Sequence, residues 1–486
     1  TDRLETERSL EYSTATGSGG SIRNGAGGNL LVDNSNINNI DQYNYSIGTK
    51  VTHDWSLGKT KLKVGYAKMD DKQWETENEI EFDRAAPRFT GDRFDTHIVD
   101  KEFSAGLEHE APLGNGIDLV VGGFYQNKVR DTDIQEAARQ RFNLATTFHI
   151  SYSQFKLTPD QYAAGFVGFA PAPGGLSKLK EERKDLFALV EGDTGPVKWE
   201  VGVRWENTNA SIDDLTTATG AIRQNYDYLL PSASAKISVG NGGRITISGA
   251  RTVRRPRFDY ITPVLLEAEL GDNDFLGNPL LRPESAWGAD LGFEQRIGRT
   301  GVVGVNVFYR KVTDLVQIAN TRTVGSEGAG TFVLTPRNTG DGKVYGVEFD
   351  LSTSLGFLGL PDTGIFGNLS LLDSDIADYF GQRRFNGQSD MVYNFGFIQN
   401  LPGFGAAFGA TYRKQAAALD RMEGEGIRTT YGGDLEIFVE KRFGKGFTIR
   451  AVGSNLLNGA KREVFDKFTT IADQIARDYD EYEIER

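Results

Sequence analysis

Apolar and polar residues alternate strictly over runs of about ten residues, and this pattern constrains the chain more than any other. From Val197 to Glu206 one face reads Val197, Trp199, Val201, Val203 and Trp205. The other reads Lys198, Glu200, Gly202, Arg204 and Glu206. The same period of two recurs from Tyr43 to Trp55, from Val303 to Tyr309, from Tyr345 to Leu351 and from Leu435 to Val439. Strands of soluble proteins average ~5–6 residues, whereas a tilted strand needs ~9–11 to cross the hydrocarbon layer of a bilayer. The second face carries charges and glycine with few large apolar side chains, so it offers nothing for a partner sheet to bury. The apolar face therefore reads as lipid-facing and the polar face as the lining of a wet lumen.

Short and long connections alternate along the chain. Tight turns stand at Leu57–Lys59, Leu113–Gly116, Thr194–Pro196, Asn241–Gly243, Ile297–Thr300, Pro402–Gly403 and Gly444–Gly446, each joining two alternating runs as a hairpin turn does. Between the hairpins lie long polar segments, foremost at about 70–96, 130–183 and 255–283. Within 130–183 the stretch Asp133–Leu144, with Ala137 and Ala138, predicts a short helix. About sixteen strands lie between Tyr43 and Asn455, and weaker ones near Arg3–Tyr12 and Asp478 bring the count to about 18. The predicted fold is all-β: a transmembrane antiparallel up-and-down β-barrel over residues 1–486, with short periplasmic turns and long extracellular loops.

Composition removes competing classes. With 54 Lys+Arg against 67 Asp+Glu the net charge is −13, which argues against a nucleic-acid partner. No run approaches the ~18 apolar residues of a membrane-spanning helix. The absence of cysteine excludes disulfide scaffolds and thiolate chemistry, and four histidines thin the prospects for a metal enzyme. No Gly-x-Ser-x-Gly elbow, His-Glu-x-x-His pair or phosphate loop occurs, so no cofactor and no catalytic residue is assigned. The acidic turn Asp272, Asn273, Asp274 lacks the rest of a calcium loop and reads as a solvated turn. Trp55, Trp199 and Trp205 suit the aromatic girdles at the membrane interfaces.

Several stretches resemble the barrel of TonB-dependent outer-membrane receptors. The most specific is Asn278-Pro279-Leu280-Leu281-Arg282-Pro283-Glu284-Ser285, followed by Gly288-Ala289-Asp290-Leu291-Gly292. Leu229-Leu230-Pro231-Ser232, Tyr345-Gly346-Val347-Glu348, Arg251-Thr252-Val253-Arg254-Arg255-Pro256 and Ser454-Asn455-Leu456-Leu457-Asn458 follow the same family order. The resemblance implies a barrel of about 22 strands in the intact protein. It also implies an N-terminal plug with a TonB box, neither of which is visible here. The chain is thus expected to be partial, lacking the plug and the last strand residues. The implied setting is the outer membrane of a Gram-negative bacterium, among its lipid and lipopolysaccharide. The implied activity is import of a scarce ligand, such as siderophore-bound iron or an oligosaccharide, energised by TonB and its inner-membrane complex. A passive porin is the alternative, and a barrel enzyme or adhesin a more distant one.

Within that resemblance, Asn278, Pro279, Leu281, Arg282, Pro283, Glu284, Asn455, Leu456 and Asn458 are structural motif positions. Candidate ligand contacts are the cations Arg251, Arg254, Arg255 and Arg257, which suit anionic groups. The aromatics Trp74, Tyr162, Phe166 and Phe169 suit ring stacking. The competing role for the arginines is pairing with barrel or plug carboxylates. For the aromatics it is packing of the loop against itself.

Overall fold

The computed structural model describes residues 2–12, 30–82, 84–148, 166–267, 273–298, 301–326, 328–378, 380–444, 446–478 and 481–485. Alternation becomes one 21-stranded sheet. Among the described residues four members are pieces of two to four residues: Gln140–Asn143, Leu265–Leu266, Asp274–Leu276 and Gly381–Arg383. That leaves seventeen wall strands, close to the sequence count of about 18. Each wall strand pairs antiparallel with the next in the chain, from Asp2–Tyr12 against Leu30–Trp55 to Asp434–Phe443 against Phe447–Gly453. Among the described residues the first and last wall strands are not paired with each other.

Register shows why the apolar parity matters. One row runs Val51, Leu62, Leu107, Gly123, Leu186, Trp205, Leu229 across seven consecutive strands. A second runs Ile247, Leu291, Val307, Val347, Leu371, Met391. Leu107, Leu186, Leu229 and Leu291 are all more than half exposed. On a water-soluble protein such a continuous band would drive aggregation. In a bilayer it faces acyl chains. Trp55 and Trp205 are exposed on the same face, and Trp55 Nε1 donates to Thr60 Oγ1 at 2.9 Å.

The turns explain several glycines. At Leu113–Gly116 the residues Gly114, Asn115 and Gly116 all have positive φ, between 54° and 91°, as tight hairpins of this hand require. Two further reversals are single 3-10 turns, Gly356–Leu358 and Pro402–Phe404, each ended by a left-handed glycine, Gly359 and Gly405.

The strands run through much of what reads in the sequence as long loops. Gly58–Glu81 and Arg88–Gly114 pair without a break from Lys59↔Glu110 to Glu81↔Arg88, so 70–96 is mostly strand. At ~3.3 Å per residue a 24-residue strand reaches about 80 Å, over twice the ~30 Å hydrocarbon core. Polar residues there pair their backbones as apolar ones do, and several, such as Thr76, Asn78 and Thr90, are buried, so polarity alone does not separate such a strand from a loop. The expected helix Asp133–Leu144 is also corrected. Ile117–Glu136 continues as strand against Phe94–His97, and Gln140–Asn143 pairs with Arg88–Gly91. Neighbouring strand edges needing partners outweigh the helix preference of two alanines.

A second, four-stranded sheet is built from Ala418–Met422, Glu425–Tyr431, Lys461–Lys467 and Glu481–Glu485. A short helix, Ile471–Ala476, lies against it, its N-cap Thr470 accepting from the Asp473 amide at 3.1 Å.

Candidate functional site: the lumenal cleft

The inward parity of the early strands is charged, and the charges answer one another. Arg130, on strand Ile117–Glu136, donates two 2.7 Å bonds to the Asp100 carboxylate of the neighbouring strand. It also reaches Asp259. Arg183 bridges Asp185 at 2.7 Å and Glu206 at 2.6 Å. Arg204 pairs with Asp185 at 3.0 Å. Arg255 donates to Glu206 at 2.7 Å and to Thr208 Oγ1 at 3.0 Å. The Asp185 and Glu206 side chains are 0% and 5% exposed. Carboxylates so deeply buried persist as ions only when fully paired.

Between Arg255 and Pro283 the described residues, 255–267 and 273–283, do not leave the wall as a free loop. They fold back against the inner face, with a single helical turn, Phe258–Ile261. Ile261 and Leu281 are buried with Leu179 and Ile212 of the wall, and Phe258, Tyr260 and Val316 flank them. A second contact joins Val264 to Ile134 and Ala172. Backbones approach closely on either side of Thr262 and Pro263 of this segment. A Cβ on Gly174 would lie 1.9 Å from the Pro263 carbonyl oxygen, and one on Gly277 would lie 1.7 Å from that of Thr262. Between the wall and this segment a cleft of about 740 Å³ remains, lined among others by Asp100, Lys128, Arg130, Glu181, Arg183 and Arg255.

The sequence candidates separate here. Arg255 and Arg257 line the cleft. Arg255 is committed to Glu206, whereas the Arg257 guanidinium lies 6.0 Å from the Tyr260 ring. Arg254 pairs with Glu284 at 2.7 Å. Arg251 lies 5.5 Å from the Tyr228 ring and donates weakly to the Leu229 carbonyl at 3.4 Å. Trp74 and Phe169 come together around Arg93, at 5.3 Å and 5.7 Å from its guanidinium, away from the cleft. Phe166 is buried. Tyr162 lies outside the described residues.

The motif around Asn278 acts as a staple. Strands Ile222–Val239 and Gly243–Arg254 pair only up to Ser232↔Ala250 and then diverge. The motif occupies the gap: Tyr228 Oη donates to the Pro283 carbonyl at 3.3 Å, and Gln224 donates to that of Pro279. On the other side Asn278 donates to the Pro336 carbonyl at 2.9 Å, and the Arg282 amide donates to Asn338 Oδ1 at 3.0 Å. Arg282 also pairs with Asp314, and Glu284 accepts from the Val316 amide at 2.5 Å. Asn455 and Asn458 are left-handed, with φ of 51° and 50°. Asn455 Oδ1 accepts from the Gly459 amide at 2.8 Å. Leu456 donates its amide to the Leu435 carbonyl at 3.0 Å, which closes this turn onto the neighbouring strand.

The sequence does not single out Arg130, Asp100, Arg183 or Glu206. Their only signal there is shared inward parity, which marks a wet face without saying which charges meet. The buried Asp274 also departs from expectation. It is not part of a solvated turn, because its carboxylate accepts from the Ser326 amide and hydroxyl, both at 2.8 Å.

A meandering sheet with an apolar exterior and an ion-paired interior is the wall of an outer-membrane β-barrel. The chain matches the family model described as TonB dependent receptor-like, beta-barrel, over residues 3–456. It therefore belongs to that family, and it is a receptor and transporter of the Gram-negative outer membrane. No curated protein sequence matches it. Among solved structures, the copper transporter OprC is similar with a TM-score of 0.57 at 10% identity, covering 99% of this chain and 73% of OprC. A mutant of the ferric enterobactin receptor PfeA from Pseudomonas aeruginosa gives 0.50 at 13% identity, covering 94% of this chain and 70% of that one. At such identities the likeness speaks to the fold.

Proposed function

We propose that the chain forms the wall of an active importer whose ligand passes the cleft between the inner face and the folded-in segment 255–283. The observation that carries this reading is the ion-paired lining around Arg130, Arg183 and Arg255, in which Arg130 reaches Asp259 and Arg255 reaches Glu206, tying that segment to the wall. An unobstructed diffusion pore has no need of such a constriction. The remaining charged lumen is the receptacle for an N-terminal plug, through which TonB and its inner-membrane complex supply energy. Lipid and lipopolysaccharide cover the apolar band. The ligand is a scarce nutrient, siderophore-bound iron or an oligosaccharide, and its passage requires no covalent chemistry from this chain. Arg251, Arg254, Arg257, Trp74, Phe166 and Phe169 act in ligand capture or in holding the segments that perform it.

The test is uptake by cells carrying the full-length protein, with a panel of ferric siderophores and oligosaccharides. Uptake of one class that stops when the proton gradient is collapsed or TonB is removed is the expected result. Uptake that persists without either, together with open conductance in planar bilayers, would establish a passive pore instead.

A further inference from the structure

Beside the second sheet stands a group of arginines, Arg421, Arg428 and Arg477, that hold no ion pair among the described residues. Arg421 stands opposite Gly426, Gly426 opposite Asp466, and Arg428 lies two residues beyond Gly426. The side chains of Arg421, Arg428 and Asp466 therefore share one face of the sheet. Helix Ile471–Ala476 closes the side of this face and ends at Arg477, which is left-handed at φ 60°. Together with Phe380 and Ile475 these residues line a cup of about 560 Å³. That is the size of a small-molecule site.

The cup is held in shape from behind. Gln474 is buried, and its side-chain amide donates to the Met422 carbonyl at 2.8 Å and to the Glu425 carbonyl at 3.2 Å. Its oxygen accepts from the Gly424 amide at 3.1 Å. One side chain thus fixes the helix to the hairpin that carries Arg421 and Arg428. Phe380 supports Arg421, whose guanidinium lies 5.4 Å from the ring. Among the described residues, no side-chain hydrogen bond or ion pair engages the guanidinium of Arg421, Arg428 or Arg477. Asp466 shares the face without an ion pair, and burial pushes its carboxyl above the ordinary range. Three cations against one acid leave the cup positive.

We propose that this cup binds a small, multiply charged anion through carboxylate or phosphate oxygens. Guanidinium forks match either group in a bidentate manner, and Phe380 and Ile475 give the ligand an apolar rim. The role of the cup in capture rests on the importer reading, but its binding does not need TonB or a gradient. Failure of one is therefore distinguishable from failure of the other.

The experiment is calorimetric titration of the full-length, detergent-solubilised protein with inorganic pyrophosphate and, separately, with tricarballylate. Binding of at least one probe, weakening as salt is added, is the expected result. Pyrophosphate alone assigns a phosphate ligand, tricarballylate alone a carboxylate ligand, and both together a site that reads charge. Arg421→Gln, Arg428→Gln and Arg477→Gln should each weaken binding by about tenfold. Asp466→Asn should tighten it, and Arg244→Gln, at the opposite end of the wall, should leave it unchanged. Binding of neither probe would overturn the proposal. So would binding that the three arginine substitutions leave intact.

Discussion

In the lumen, Arg130, Arg183 and Arg255 each meet a carboxylate of a neighbouring strand or segment, and Glu206, the partner of Arg183 and Arg255, is almost fully buried. Beside the second sheet, Arg421, Arg428 and Arg477 converge on a cup in which, among the described residues, one acid, Asp466, stands without an ion pair. The side chains are the same, and the surroundings assign them different work. A buried ion must be answered by its own protein, so Arg130 and Arg255 are spent on tying segment 255–283 to the wall and Arg183 on holding Asp185 and Glu206. Arg428 and Arg477 are exposed and Arg421 half-buried, so their guanidiniums stay hydrated at little cost and can take an external anion. A cluster of arginines in a sequence is therefore no guide to a ligand until the burial of the cluster is known.

The contrast can be broken most severely at Glu206. Glu206→Ala leaves the half-buried Arg255 without its carboxylate and Arg183 with Asp185 alone, and should destabilise the wall by about 3–5 kcal/mol. Thermal unfolding in detergent reads this directly, and Arg428→Gln in the second sheet should change the same transition by less than about 0.5 kcal/mol. Equal effects from the two substitutions would erase the distinction.

A slightly smaller effect is expected from the apolar contact that backs up the lumenal ion pairs. Leu281→Ala removes a buried side chain from the group with Leu179, Ile212 and Ile261. It should lower stability by about 2–4 kcal/mol and expose residues 255–283 to limited proteolysis before the wall unfolds. Resistance of that segment would show that the ion pairs hold it alone.

Gln474→Ala tests whether the second sheet is as well braced as the lumen. Loss of its three hydrogen bonds should cost about 1–3 kcal/mol locally. Hydrogen exchange should quicken in 418–431 while the wall strands keep their protection.

A smaller effect than that of Gln474→Ala is expected at Asp420, in the same sheet. Burial raises its carboxyl above the ordinary value, and nearby Glu463 pushes in the same direction. A raised folded value means that stability is fully present below the unfolded value of about 3.9 and is lost as pH rises through the folded one. Asp420→Asn should therefore stabilise the second sheet at neutral pH by less than about 1 kcal/mol and remove this group's share of the pH dependence. A variant that is less stable at neutral pH would contradict this.

Strict alternation makes the wall legible in the sequence, because a strand's side chains point by turns to opposite faces. The rows from Val51 to Leu229 and from Ile247 to Met391 follow from that parity. Tight turns are legible from glycine and asparagine, which tolerate positive φ where other residues do not. The extent of the strands is not legible beyond the bilayer. There no bilayer imposes the alternation, so the apolar signal stops at Tyr43 and Tyr45 while backbone pairing continues to Leu30. The helix expected at Asp133–Leu144 fails because neighbouring strand edges need backbone partners, which no local preference records.

The sequence by itself determined an all-β wall with one apolar and one polar face, and the family motif around Asn278. Both are local properties, carried by residues at fixed short spacing. Only the tertiary structure decided which arginines are committed and which are open. It placed Arg255 against Glu206, 49 positions away, and left Arg421, Arg428 and Arg477 around a cup. Ion pairing and burial depend on which strands become neighbours across the lumen, and no periodicity along the chain records that.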